Sequence, residues 1–256
     1  MTQKLTRKTL ILLTVLGIVI LGSAFSLRYL HRLFPEDSDI GKDLFALGMI
    51  GSDIIKSADT HGQKLVALTF DDGPDPRFTP VVLKILKEHN AKATFFVVGK
   101  AAEANPELIH AQEAMGCEIE NHTYTHPDLL KDSQYMVSKE IAMDQNTIVS
   151  LTNSAPTYFR PPKALFNQQD VETAEKLGLK VVLWGVCVEH HRSKTPKAMA
   201  LRVVRKVHPG MIILAHDGRL DRTKTMKALP IIIEKLQAQG YKFVTLNELL
   251  NVQGVE

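Results

Sequence analysis

The sequence predicts an α/β protein: a parallel sheet of about seven strands alternating with helices, closed as a barrel or open and doubly wound, preceded by one N-terminal transmembrane helix. Three observations carry this. Seven short β-branched or aromatic runs recur: LVALTF (65–70), KATFFVV (92–98), CEIE (117–120), TYFR (157–160), KVVLWGV (180–186), MIILA (211–215) and KFVT (242–245). Between them apolar residues fall at helical spacing. Runs such as KVVLWGV are apolar almost throughout, as befits strands covered on both faces.

The N-terminal element is residues 9–27, TLILLTVLGIVILGSAFSL, nineteen uncharged and mostly apolar positions. As a helix rising ~1.5 Å per residue they would reach about 28 Å, close to a bilayer's hydrocarbon core of ~30 Å. Lys4, Arg7 and Lys8 precede them, which places the N-terminus inside and the body outside. Gly22-Ser23-Ala24 offers small residues to a signal peptidase. The apolar run is nevertheless longer than an ordinary signal core, and no polar segment separates it from Ala24. The expectation is therefore a signal anchor over residues 1–32: a cell-membrane protein of one span with its body extracytoplasmic, or a secreted one if the segment is cleaved. Residues 33–61 read as a spacer and residues 62–250 as the folded body.

Charge narrows the partners. The formal net charge is +3, but Lys4, Arg7, Lys8, Arg28 and Arg32 stand in the first 32 residues with no acid among them. Setting those five aside leaves 26 basic against 28 acidic side chains. The body thus lacks the basic excess that a nucleic-acid partner requires. Cys117 and Cys187 are too few for a disulfide framework and make either one bridge or two buried thiols. Nothing in the sequence specifies an oligomeric state.

Within the body, Val82, Ile85 and Leu86 form one helical face, and Val137, Ile141 and Ile148 another. Asn105-Pro106 reads as a cap followed by proline at the first helical position. Asn167 with Asp170 three residues on reads as a capping box with Asp in place of Glu. Gly116, Gly178 and Gly240 end helices before strands.

Parallel α/β sheets bind ligands at the C-terminal ends of their strands, and titratable residues collect there. Asp71 and Asp72 follow the first run. His122 and His126 follow the third and Arg160 the fourth. Trp184, Cys187, Glu189, His190 and His191 lie in or after the fifth, and His216 and Asp217 follow the sixth. His122 and His126, four apart, would point the same way from one helical turn. Two imidazoles and a carboxylate make a competent set for zinc, cobalt, nickel or iron. Of the adjacent aspartates, one can bind the metal while the other takes a proton from an attacking water. Gly73 and Pro74 would turn the chain sharply behind them. Arg160 would orient the proton-accepting carboxylate, and His216 could protonate a leaving nitrogen. These parts suit hydrolysis through a tetrahedral intermediate. Glycoside hydrolysis needs a second carboxylate across the sugar and has no use for a histidine pair.

The chain resembles the polysaccharide deacetylases of the NodB-homology type, carbohydrate esterase family 4. The resemblance rests on TFDDGPD (69–75), HTYTH (122–126), FRPP (159–162) and LAHD (214–217), with ATFFVVGK (93–100) also family-like, and spans about residues 62–248. It implies a distorted (β/α) barrel that removes N-acetyl, or sometimes O-acetyl, groups from cell-wall or extracellular glycans. It further implies Asp71 as general base, Asp72, His122 and His126 as ligands of one divalent metal (usually zinc, with cobalt or nickel as alternatives), Arg160 orienting Asp71, and His216 as general acid. Trp184 and Leu214 would line the acetyl pocket, with Pro162 and Lys163 beside the substrate.

Two motifs depart from that pattern. The third has Lys163 where the family has an aromatic residue and Ala164 where it has glycine, and alanine resists a positive φ; the expectation is a rebuilt loop in which Lys163 meets substrate. In the fourth, His190 and His191 stand where the family has Asp-Trp, so either Glu189 or Asp217 would support His216. These departures keep open a catalytically weak or inactive sugar-binding protein that retains the metal. An iron(II) oxygenase built on two His and one carboxylate would leave Asp71 and His216 without a task.

Overall fold

A computed structural model describes residues 54–252. In order, its elements are β1 (Leu65–Asp71), α1 (Thr79–Glu88), β2 (Thr94–Val97), α2 (Gly99–Ala104), α3 (Pro106–Ala114), β3 (Glu118–Asn121), α4 (Gln134–Thr152), β4 (Tyr158–Phe159), α5 (Gln168–Lys176), β5 (Lys180–Val181), β6 (Val186–Cys187), α6 (Pro196–Lys206), β7 (Ile212–His216), α7 (Thr223–Ala238), β8 (Lys242–Val244) and α8 (Leu246–Leu250). Short 3-10 turns lie at Leu129–Lys131 and Pro162–Ala164.

The strands pair in parallel in the order β5-β4-β3-β2-β1-β7-β6, with β8 added to β1. A strand has two edges, and β7 takes one edge of β1 along residues 67–71. The other edge is shared, by β2 along residues 69–71 and β8 along residues 65–67. The two ends of the seven-strand path, β5 and β6, are joined only by residues 182–185. So short a connection spans at most about 18 Å, and the sheet must curl until its edges nearly meet. The result is a near-barrel, matching the predicted distorted (β/α) barrel rather than an open sheet. For the same reason the run KVVLWGV, predicted as one strand, is two: the chain leaves one end of the sheet and starts the other inside it.

Alternation along β1 divides the molecule into layers. Val66, Leu68 and Phe70 face outward into the main core with Val82, Ile85 and Leu86 of α1. Ala67 faces inward with Phe96, Tyr158, Val182 and Ile212, beneath which Leu246 and Leu249 of α8 plug the barrel. The next inward residues of β1, Thr69 and Asp71, are polar and lead to the rim. Val137, Ile141 and Ile148 of α4 are buried as their spacing predicts. The Asn167–Asp170 capping box forms, and Gly116, Gly178 and Gly240 take positive φ at helix ends. Asn105 behaves differently: its amide donates back to the Ala101 carbonyl instead of capping the helix that Pro106 starts. Cys117 and Cys187 are buried thiols, not a bridge.

The expectation of a membrane protein is corrected. Among the described residues no helix is long and apolar enough to cross a membrane, and residues 9–27 lie outside the described residues. The transmembrane helix, the membrane as partner and the cell-membrane localisation therefore find no support among the described residues. The last residues assigned to the spacer lie against the sheet: Ile55 bridges Val182 and Ser57 bridges Met211.

That strap constrains Gly210, whose φ is +80° and where an added Cβ would stand 1.9 Å from the Ala58 carbonyl oxygen. Gly210→Ala is expected to lower stability by about 2–4 kcal/mol, combining left-handed strain with overpacking. Gly62→Ala, also at φ +80° but with nothing within 4 Å, should cost only the strain, about 1 kcal/mol. Urea unfolding of the two variants checks the difference.

Candidate active site

The rim is built around Arg160, the residue after β4, whose side chain is fully buried. Its Nη1 donates to Asp71 Oδ1 at 2.6 Å and to Thr69 Oγ1 at 2.9 Å. Its Nε and Nη2 donate to the carbonyls of Val182 and Leu183 in the β5–β6 connection. The guanidinium lies 3.9 Å over the Phe96 ring and 5.7 Å from that of Trp184. Asp71 is thereby held by one oxygen, while its Oδ2 faces His122 Nε2 at 3.8 Å.

His122 and His126 are not on a helical turn, as their spacing suggested. They lie in a loop after β3 that takes left-handed backbone at Thr123 and His126. α4 ties this loop down through two acids four residues apart on one face. Asp144 accepts from the His122 backbone N–H, and Glu140 accepts from the backbone and hydroxyl of Thr125. The His122 and His126 rings end 5.0 Å apart, edge to face. His122 Nδ1 lies 2.7 Å from the Arg160 carbonyl. A carbonyl only accepts, so Nδ1 carries the proton and Nε2 keeps a lone pair. Burial is the largest influence on this imidazole and lowers its pKa to about 4, against the opposing pull of Asp71.

Asp72 stands at φ 76°, a left-handed position uncommon for a residue with a side chain. Its Oδ1 lies 3.1 Å from His126 Nε2 and 3.8 Å from His122 Nε2. Burial would raise its pKa, but the hydrogen bond from His126 and the charges of the surrounding histidines hold it far below the usual range. Donor atoms of Asp72, His122 and His126 all lie within 4.8 Å of one another. Ligands around a tetrahedral zinc-class ion stand about 3.4 Å apart, given bonds of ~2.0–2.1 Å. Two neutral-capable imidazoles and one carboxylate oxygen at this spacing fit a divalent metal. Arg222, which the sequence reading missed, donates to the other oxygen of Asp72 at 2.8 Å, so Asp72 offers a single oxygen. Nothing in the residue type marks Arg222; only its place in the loop after β7, six residues past His216, could have drawn notice.

His216 ends β7 and is in register with Asp71. Its partner is Glu189, not Asp217. Glu189 Oε2 lies 3.1 Å from His216 Nδ1, and Glu189 Oε1 accepts from the His216 backbone and from Thr225 Oγ1. Burial by itself would lower the His216 pKa; the Glu189 carboxylate more than offsets it and raises the imidazole to about 9. Burial likewise opposes Glu189's charge, yet His216, Thr225 and Arg222 hold it down at about 2. Asp217 turns away: its Oδ2 accepts from Thr79 Oγ1 at 2.6 Å, and burial pushes its pKa up to about 7. Its carboxylate also explains Gly73, where an added Cβ would stand 2.3 Å from Asp217 Oδ1. The turn there carries a cis Gly73-Pro74 bond.

The remaining predicted residues lie on β7, in the β5–β6 connection and in the turn after Arg160. Leu214 is buried one inward step before His216 on β7, and Trp184 is half-buried beside Arg160. Pro162 is buried and Lys163 exposed in the 3-10 turn after Arg160. Against expectation, Ala164 does adopt left-handed backbone, at φ 51°, directly after Lys163 at φ 58°. The turn thus keeps a glycine-type conformation without glycine, at a strain of about 1–2 kcal/mol.

The His216–Glu189 pair has a definite pH signature. The His216 pKa is raised above its ordinary 6.5, so its stabilising contribution is full below pH 6.5 and is lost as pH rises through 9. Glu189 is held below its ordinary 4.5, so its contribution is full above pH 4.5 and is lost as pH falls towards 2. Glu189→Gln should therefore cost most between pH 4.5 and 6.5. In the same variant the His216 titration, followed by NMR, is expected to fall from about 9 to its ordinary value or below. Arg160→Met leaves Asp71 buried without its cation and is expected to cost about 3–5 kcal/mol in urea unfolding.

Comparison with known proteins agrees with this geometry. The Polysaccharide deacetylase family profile matches residues 58–182. A peptidoglycan-N-acetylglucosamine deacetylase of Bacillus cereus is 37% identical over 192 residues, covering 74% of this chain and 90% of that protein. The crystal structure of the Bc1960 peptidoglycan N-acetylglucosamine deacetylase superposes with a TM-score of 0.74 at 32% identity, covering 80% of this chain and 95% of that one. BA3943, a CE4 family pseudoenzyme from Bacillus anthracis, superposes with a TM-score of 0.72 at 30% identity, covering 82% and 73%. On sequence, fold and the Asp/His cluster together, the chain belongs to the polysaccharide deacetylases of the NodB-homology type, carbohydrate esterase family 4.

Proposed function

We propose that the protein is a metal-dependent hydrolase that removes acetyl groups, N-acetyl groups in the first place, from a cell-wall polysaccharide. One observation carries the reading: a carboxylate with an open oxygen (Asp71) and an imidazolium (His216) stand in register on adjacent strands beside the Asp72–His122–His126 cluster. Pure sugar binding needs no such acid–base pair.

A divalent cation at that cluster, zinc first and cobalt or nickel as alternatives, supplies Lewis-acid chemistry that lowers the pKa of water and polarises a carbonyl. The residues do the rest. Asp71, anchored through Oδ1 by Arg160, accepts the proton of the attacking water on Oδ2. The Lys163 backbone N–H and Pro162 face the acyl oxygen and the sugar, and Leu214 and Trp184 line the acetyl pocket. His216, charged at neutral pH through Glu189, gives its proton to the departing amine. The B. cereus relative's name supports an N-acetylglucosamine unit of peptidoglycan as the substrate class.

A second reading, a metal-retaining sugar-binding protein without turnover, draws on the altered third and fourth motifs and on the resemblance to a pseudoenzyme. Acetate release from N-acetylglucosamine oligomers and peptidoglycan fragments separates the two. Reconstituted protein should release acetate, chelated protein should not, and Asp71→Asn should retain the metal while losing about 10²–10⁴ in kcat. Metal and glycan binding with no acetate from the reconstituted parent would establish the second reading.

A further inference from the structure

The described residues hold a second set of metal-type donors. Cys187 Sγ, a Glu189 oxygen and a His216 ring nitrogen lie within 4.8 Å of one another. Cys187 ends β6, and Glu189 follows two residues on, beyond the strand, folded back onto the Cys187 thiol. Cys187 is in register with Leu214, one inward step before His216. Glu189 Oε2 sits between the other two, 3.4 Å from Sγ and 3.1 Å from His216 Nδ1. The His216 and Glu189 side chains are 17% and 24% exposed, so an ion has a way in from the rim. No step of the deacetylation uses Cys187.

We propose that Cys187, Glu189 and His216 form a second, thiophilic metal site, filled by zinc-class ions present in excess of the Asp72–His122–His126 cluster, and that filling it stops turnover. The 3.4 Å and 3.1 Å spacings from the Glu189 oxygen are those of ligands around a tetrahedral ion, with Zn–S at ~2.3 Å and Zn–N at ~2.0–2.1 Å. A thiolate with an imidazole selects zinc, cadmium or cobalt over magnesium or calcium. The protons balance. The ion enters with two positive charges, the Cys187 thiol releases one proton and the His216 imidazolium releases the one on Nδ1, both to solvent. The pocket's net charge is unchanged, so occupation buries no new charge. The first site fills first because His122 already offers a lone pair at Nε2 and because this second site must surrender two protons. An imidazole bound through Nδ1 keeps its Nε2 proton but is no longer a cation able to release it readily to a leaving amine. Binding stands on the ligand geometry alone; the inhibition rests on the role proposed for His216.

Cobalt(II) titration of the metal-free protein, followed by absorption, tests the site. The first equivalent is expected to give only the visible bands of nitrogen and oxygen ligation. Further cobalt is expected to add a thiolate-to-cobalt charge-transfer band in the near ultraviolet. Cys187→Ser should lose that band and the second equivalent while keeping the first; Cys117→Ser should keep both. His122→Ala should lose the first equivalent and keep the thiolate band, which separates failure of this proposal from failure of the Asp72 cluster as a metal site. In acetate release, excess zinc should inhibit the parent and not Cys187→Ser, with Cys187→Ala used if the serine variant does not fold. Absence of the near-ultraviolet band in the folded parent at excess cobalt, or its survival without Cys187, overturns the proposal.

Discussion

The buried guanidinium of Arg160 joins the fold to the chemistry. A fully buried cation is tolerated only where hydrogen bonds and a counter-charge replace its water. Each replacement here comes from a different part of the barrel: Asp71 and Thr69 from β1, and two carbonyls from the segment that carries the chain between the sheet's two ends. Its own backbone carbonyl receives His122 Nδ1. The guanidinium that links β1 to the β5–β6 segment therefore also holds Asp71, and the backbone carbonyl of the same residue sets the tautomer of His122.

Around that centre the rim is supported from two independent directions. The His122–His126 loop hangs on Glu140 and Asp144 of α4. His216 hangs on Glu189 after β6 and, through it, on Thr225 of α7. Asp72 reaches towards both, with Arg222 fixing its second oxygen. Left-handed non-glycine residues gather at these loops, at Asp72, Thr123, His126, Lys163, Ala164 and Arg219. Strain of this kind persists only where the surrounding contacts over-determine the backbone.

How much of this was legible in the sequence varied with the length scale of the cause. The strand runs and helix faces were readable because apolar periodicity is local. The capping box at Asn167 was readable for the same reason, whereas Asn105 lost its expected capping role to a nearer carbonyl. KVVLWGV looked like one strand because an apolar run does not say which edge of a sheet it joins. The histidine pair was found by spacing, but its helical turn was not, since Thr123 and His126 take a conformation that their residue types disfavour. Between Glu189 and Asp217 the sequence offered no choice; packing against Thr79 turned Asp217 away and left His216 to Glu189. Arg222 and Asp144 went unseen because their only signature is a partner far along the chain.

By itself, then, the sequence determined the alternation of strands and helices and the residue types that gather at the strand ends, because both follow from short-range periodicity and from the rule that parallel strands end at one rim. Tertiary structure alone decided that the sheet curls, that one oxygen of each aspartate is occupied, and which carboxylate charges His216. Those outcomes depend on burial and on hydrogen bonds between residues up to 150 positions apart, which no local pattern encodes.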